Sequence, residues 1–179
     1  VFQGTEGSYS QEAMFRYFGK EINGFHVQKF RDAMEAIEEG SADFAVLPIE
    51  NSTAGAVDEV FDLLVEFENY IVDELVLPVR HALAGLPDAA LSDIERVYSH
   101  PQALMQSARY LDEHRDWQQI SVANTAVAAR KVLEDDDVKK AAICSEHAAE
   151  VYGLKLLDRE INDNPANSTR FIIVTNQKI

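Results

Sequence analysis

The chain has 179 residues, 46% of them hydrophobic and 26% charged, and a formal net charge of -15, which is length enough for one large domain or two small lobes with a buried core. That acidity excludes a nucleic-acid or anionic-membrane surface, which needs clustered Lys and Arg, and no apolar run approaches the roughly 20 residues of a membrane span. The single cysteine, Cys144, excludes an internal disulfide.

Strand-like apolar segments alternate with helix-period segments, an α/β signature. Val1-Phe2-Gln3 reads as the end of a strand and leads into the glycine-rich turn Gly4-Thr5-Glu6-Gly7. The pattern predicts a helix over 9–18, with Ser8 as cap and Gly19 as stop. Phe30, Ala33, Met34 and Ile37 recur at i, i+3, i+4, i+7, which predicts a second helix ending at Gly40. Residues 44–47 read as a short buried strand that stops at Pro48. Val57, Val60, Phe61, Leu64 and Val65 predict one buried helix face, with Asp58, Glu59, Asp62 and Glu66 turned to solvent. Residues 70–85 read as two consecutive strands, with a crossing between lobes near Pro78.

Residues 94–98 predict another strand. Residues 101–114 predict a single helix with Pro101 at its first position, where a missing N–H costs nothing. A strand over 120–122, a helix to about Leu133 capped by Asn124 or Thr125, a strand over 141–144, a helix over 146–152 and a strand over 155–157 follow. Cys144 falls in the apolar run Ala141-Ala142-Ile143-Cys144 and reads as a packed core thiol. The chain then returns through the loop 162–167 to a strand over 170–174.

Charge is spread unevenly along this order. Residues 1–78 carry 16 acids and 4 bases, a net of -12; residues 79–160 carry 14 and 10, a net of -4; residues 161–179 carry 1 and 2, a net of +1. An anionic ligand must therefore be held by local donors against an unfavourable field.

Four polar elbows suit that task, because in open α/β sheets ligands bind beyond the carboxyl ends of strands, where helix N-termini aim N–H groups outward. The first, Gly4-Thr5-Glu6-Gly7-Ser8-Tyr9-Ser10, lacks both GxGxxG spacing and the P-loop lysine, so a nucleotide site is not indicated. It reads equally well as a plain capped turn. The second is Pro48-Ile49-Glu50-Asn51-Ser52-Thr53-Ala54-Gly55; either Ser52 or Thr53 caps the next helix, or the excess of polar groups serves a ligand. The third, Ser99-His100-Pro101-Gln102, is followed by Gln106, which shares a helix face with Gln102. His100 directly precedes the helix proline and reads as structural. The fourth is Ala123-Asn124-Thr125-Ala126. Beyond them, Thr169-Arg170-Phe171 sets a hydroxyl and a guanidinium at the mouth of an apolar strand. The histidines share no metal-ligand spacing, and neither a metal nor a cofactor is indicated.

Taken in order, Gly4-Thr5-Glu6-Gly7-Ser8-Tyr9-Ser10, Pro48-Ile49-Glu50-Asn51-Ser52, Ser99-His100-Pro101-Gln102 and Thr169-Arg170-Phe171 closely resemble the prephenate dehydratase family over essentially the whole chain. The resemblance implies an α/β fold of two lobes related to type II periplasmic-binding proteins, with the active site in the interlobe cleft. Lobe 1 would hold 1–77 plus 161–179, and lobe 2 would hold 78–160. It also implies a cytoplasmic hydro-lyase that converts prephenate to phenylpyruvate, CO2 and water in L-phenylalanine biosynthesis, as a dimer or higher homo-oligomer.

Carried onto this sequence, the resemblance makes Thr169 the main catalytic hydroxyl. Asn51, Ser99 and Gln106 become catalytic or substrate-contacting partners, with Glu50 beside Asn51. Thr5, Gly7, Ser8, Tyr9, Ser52, Thr53, Gln102, Asn124, Thr125, Arg170 and Phe171 complete the substrate-binding set; Arg170 either touches substrate or braces the loop, and Phe171 also suits packing at the strand start. The chain stops about where an ACT-type regulatory domain would begin, so that domain is expected to be absent from it. Native fusion to an ACT-type or chorismate mutase segment is a family habit. Two rival readings stand beside this one: arogenate dehydratase, and a non-catalytic module that binds a small anionic solute.

Overall fold

Alternation of short apolar runs with amphipathic segments gives eleven strands and seven α-helices among residues 1–177, the residues described by a computed structural model. The chain divides into two units. Unit 1 holds Val1–Thr5, Tyr9–Val79 and Asn167–Ile179; unit 2 holds Glu6–Ser8 and Arg80–Ala166.

Unit 1 is built on one mixed sheet of β1 (Phe2–Gln3), β2 (His26–Val27), β3 (Ala45–Asn51), β4 (Gly55–Ala56), β5 (Tyr70–Pro78) and β11 (Ser168–Thr175), in the order β2-β1-β3-β11-β5, with β4 paired to β3. β11 runs antiparallel to both β3 and β5. Phe171-Ile172-Ile173-Val174 is buried throughout, as a central strand covered on both faces requires. Phe171 and Ile173 join Phe2, Met14, Val46 and Leu77 on one face, against α1 (Tyr9–Phe18). Ile172 and Val174 join Met34, Ile37, Val60 and Leu63 on the other, against α2 (Phe30–Glu39) and α3 (Asp58–Phe67). α1 stops at Gly19 and α2 at Gly40, both left-handed with φ of 84° and 83°, the geometry that a residue lacking Cβ adopts at least cost.

Three expectations change in unit 1. β3 does not stop at Pro48 but continues to Asn51. Pro48 pairs with Phe171 and Glu50 with Arg170, so Ile49 bulges, and a bulge is where a strand tolerates the lost N–H of proline. The elbow that follows is a β-hairpin to β4, with Glu50 opposite Ala56 and Asn51 opposite Gly55, not a helix start. Neither Ser52 nor Thr53 caps α3, whose first cap position is Val57. The buried face of α3 is also rotated: Val60 and Leu63 are buried, while Phe61 and Val65 are exposed. Apolar residues wrap most of this helix, so their period leaves its rotation open, and Val60 and Leu63 are the ones packed into the core of unit 1.

Unit 2 is a five-stranded sheet of β6 (Ala82–Gly85), β7 (Arg96–Ser99), β8 (Gln118–Ser121), β9 (Lys140–Cys144) and β10 (Lys155–Asp158), in the order β10-β6-β9-β7-β8. α6 (Thr125–Asp135) and α7 (Glu146–Val151) cover one side through Ala128, Ala129, Val132, Ala148 and Ala149. Leu104, Leu111 and Trp117 pack on the other with Leu83, Val97 and Ile143. The expected single helix over 101–114 is two, α4 (Pro101–Gln106) and α5 (Ala108–Asp112). They part at Ser107, whose N–H closes a tighter turn on Leu104, and serine is a weak helix former.

Candidate active site

Asn51 and Thr169 face each other across the β3–β11 ladder. The Asn51 amide oxygen accepts from the backbone N–H groups of Thr53 (3.0 Å) and Ala54 (2.9 Å) at the hairpin tip. With its oxygen so engaged, the amide must present its NH2 to β11. Nδ2 donates to Thr169 Oγ1 at 2.8 Å and to the Ser168 carbonyl at 3.2 Å. Thr169 Oγ1 is therefore an acceptor in this contact, and its own proton is left to donate elsewhere.

The hairpin tip is tied to the start of β11 by a second set of bonds. Ser52 and Thr53 hydroxyls donate to Asn167 Oδ1 at 3.1 and 2.9 Å, and Ser52 Oγ accepts from Ser168 N at 2.9 Å. Asn167 is buried, yet its Nδ2 has no partner among the described residues; Thr5 Oγ1 is another such atom. A buried unpaired polar group costs about 1–3 kcal/mol; unit 2 holds two such atoms as well, Ser107 Oγ and Tyr110 OH.

Side chains alternate along a strand, and this separates Thr169 from its sequence neighbour. Arg170 lies on the opposite face of β11, 4.0 Å from Glu50 and 3.9 Å from Glu74. It lines a cavity of about 150 Å³ with Glu50, Ser52, Val76 and Ser168. Glu50 is half exposed and paired with Arg170, and it does not share the Thr169 face. Phe171, placed in the substrate-binding set by resemblance, is instead a core side chain at 1% exposure.

In unit 2 most of the expected polar groups are occupied by backbone. Ser99 is fully buried, and its hydroxyl donates to the Ile143 carbonyl at 2.7 Å, which ties β7 to β9. His100 Nδ1 accepts from Gln102 N at 3.0 Å, and Asn124 Oδ1 accepts from Val127 N at 2.8 Å, so both are helix caps. Gln102 is exposed, and Thr125 is half-buried at the start of α6. Gly7 has φ of 87°, and a Cβ there would meet Tyr152 at 2.9 Å and the Ala148 backbone at 3.3 Å. Its missing side chain thus admits α7, against which Tyr152 also holds the turn by donating to the Glu6 carbonyl at 2.7 Å. Ser8 and Tyr9 are half-buried beside it in sequence.

Gln106 differs. It is half-buried, and its Oε1 lies 2.8 Å from Nε2 of His81, which is 3% exposed. Burial lowers the His81 pKa below its ordinary value, opposed by the Gln106 hydrogen bond. The loop after β10 clamps both residues: Asn162 Oδ1 accepts from His81 N at 2.6 Å, and Asp163 N donates to the Gln106 carbonyl at 2.7 Å. His81, Asn162 and Asn167 carry no local signature in the sequence. Each is found only through a partner 25 or more residues away.

Cys144 is fully buried and burial pushes its thiol up to about 12, the state of a packed core group. Among the described residues no group of three or more His, Cys, Asp or Glu is placed to hold a metal ion, and no helix is long and apolar enough to cross a membrane.

A family profile described as prephenate dehydratase matches residues 1–179. The bifunctional chorismate mutase/prephenate dehydratase of Enterobacter agglomerans is 36% identical over 182 residues, covering 100% of this chain and 47% of that protein. The chloroplastic arogenate dehydratase/prephenate dehydratase 1 of Arabidopsis thaliana is 40% identical over 176 residues, covering 98% of this chain and 44% of the relative. The chain thus spans about half the length of the curated relatives it matches. A solved structure, GqqA, described as a novel type of quorum quenching acylase, is 35% identical with a TM-score of 0.89 and covers 99% of this chain and 64% of its own.

Proposed function

This chain belongs to the prephenate dehydratase family, and from that premise we propose that it converts prephenate to phenylpyruvate, CO2 and water. The observation that carries the reading is the Asn51–Thr169 contact, in which an amide locked by two backbone N–H groups leaves the Thr169 proton to donate. Prephenate carries a ring carboxylate and, para to it, a hydroxyl that leaves poorly. When the C–CO2 bond breaks, its electron pair enters the ring; the C–O bond breaks at the far side, and the departing oxygen takes a proton to become water. A threonine hydroxyl is a feeble free acid, but a donor aimed at that oxygen stabilises charge as it builds.

The remaining assignments follow the same chemistry. Asn51 is a positioning residue for Thr169. Gln106 serves as a second donor to the substrate, and the first-turn N–H groups of α6 at Thr125 and Ala126, unpartnered within a helix, suit a carboxylate. Elimination fits better than the amide hydrolysis that the description of GqqA suggests. The side chain hydrogen-bonded to Thr169 is an amide acting as donor, and an amide cannot take the proton that an attacking hydroxyl must lose. The name of the Arabidopsis relative supports arogenate as a second substrate, which differs in carrying an amine on the side chain.

The wider setting is part of this proposal. The activity belongs to phenylalanine biosynthesis in the cytoplasm, within a dimer or larger homo-oligomer and with the fusion partners that relatives' names record. Incubation with prephenate should yield phenylpyruvate, followed by its absorbance in alkali, with arogenate assayed in parallel. Thr169→Ala should keep the melting temperature and lose roughly a hundredfold in kcat, the scale of one transition-state donor. Tight binding of prephenate without turnover would favour a solute-binding module instead, and wild-type kcat in Thr169→Ala would remove this hydroxyl from the reaction.

A further inference from the structure

We propose that His81 is a positioning residue for Gln106, its Nε2–H holding the amide oxygen so that the amide NH2 faces the substrate. The inference rests on the reading of Gln106 as a substrate donor and goes beyond it to the group that decides which end of the amide is offered.

An amide side chain is nearly symmetric in shape but opposite in chemistry at its two ends. Turned one way, Gln106 presents N–H donors and attracts a carboxylate or a departing hydroxide. Turned the other way, it presents a carbonyl and repels both. Sequence position does not choose between these states; the partner does. The amide oxygen lies 2.8 Å from His81 Nε2, and an amide oxygen only accepts, so that ring nitrogen carries the proton. His81 is 3% exposed, and burial disfavours the charged, doubly protonated form of its imidazole. Both partners have fixed backbones, since Asn162 binds the His81 N–H, the Ile161 N–H binds the His81 carbonyl, and Asp163 binds the Gln106 carbonyl. The imidazole is thus a rigid donor behind a half-buried amide, and the amide nitrogen has no partner among the described residues.

The tautomer is directly readable in the intact protein. Long-range proton–nitrogen correlation on the 15N-labelled chain should show His81 as the Nε2–H tautomer, with Nδ1 as the unprotonated nitrogen. An Nδ1–H tautomer overturns the inference, whatever the kinetics of variants. Function is then tested by a double-mutant cycle with prephenate as substrate. His81→Phe, which keeps a ring and removes the donor, should lower kcat/KM roughly tenfold, the scale of one neutral hydrogen bond, mainly through KM. His81→Gln, which restores an N–H donor, should recover part of that loss. The pair His81→Phe with Gln106→Ala should be no worse than Gln106→Ala alone, because His81 acts only through the amide. Additive losses overturn the inference, even with the expected tautomer. Wild-type kcat/KM in Gln106→Ala overturns the substrate role of Gln106 itself and shows that the underlying reading failed first.

Discussion

The two units treat the same kind of residue in opposite ways. In unit 1 the polar groups of two sequence-distant segments bind one another: Asn51 to Thr169, and Ser52 and Thr53 to Asn167. In unit 2 the polar groups at comparable turns bind backbone: Ser99 to Ile143, His100 to Gln102, Asn124 to Val127. Gln106, held by the side chain of His81, is the exception there. The difference teaches that a hydroxyl or amide after a strand becomes chemically useful only when some other group has already satisfied its second function. Asn51 donates to Thr169 because Thr53 and Ala54 have taken its oxygen, whereas the one proton of Ser99 is already given to the Ile143 carbonyl.

That contrast can be broken most directly at Asn51. Asn51→Asp retains an acceptor for the Thr53 and Ala54 N–H groups but removes the donor that faces Thr169. The hairpin should fold, and kcat should fall by about 10–100-fold, approaching the effect of losing one transition-state donor; a variant with normal kcat would erase the distinction drawn between the units. A smaller effect of a different kind is expected at Ser99. Ser99→Ala leaves the Ile143 carbonyl buried without its donor, so unfolding free energy by denaturant titration should drop by about 1–3 kcal/mol while kcat stays near wild type. A large kcat loss with intact stability would return Ser99 to the reaction.

The mildest expectation concerns pH. Burial lowers the His81 pKa from 6.5 in the folded chain, so below that value the unfolded chain binds more protons than the folded one. The stability linked to His81 is therefore complete above about 6.5 and declines as pH falls. Melting temperature should drop between pH 7 and pH 5, and His81→Phe should flatten that decline. An unchanged slope in the variant would show that the imidazole is not held neutral by the fold.

Much of the chain was legible from local signals. The helices over Tyr9–Phe18 and Phe30–Glu39 follow from apolar period and glycine stops, and β11 from an unbroken apolar run. The candidate residues Asn51 and Thr169 are legible through the Asn51-Ser52 and Thr169-Arg170-Phe171 motifs. Where the reading failed, the local signal was degenerate. Pro48 stops most strands but not one with a bulge beside it, and Phe61 lies on an apolar arc wide enough for two rotations. Arg170 adjoins Thr169 in sequence yet faces Glu50 and Glu74 across the sheet, because neighbouring strand residues point apart.

Sequence alone determined the α/β class, the acidic character, the family resemblance and the identity of the hydroxyl and amides offered for chemistry. These depend on residue type and on spacing within a dozen positions. Tertiary structure decided which of those groups keep a free donor. That outcome turns on partners such as Ser168 for Asn51, Ile143 for Ser99 and His81 for Gln106, 117, 44 and 25 residues distant. A hydrogen bond reads distance and angle in space, and no local pattern encodes either across such separations.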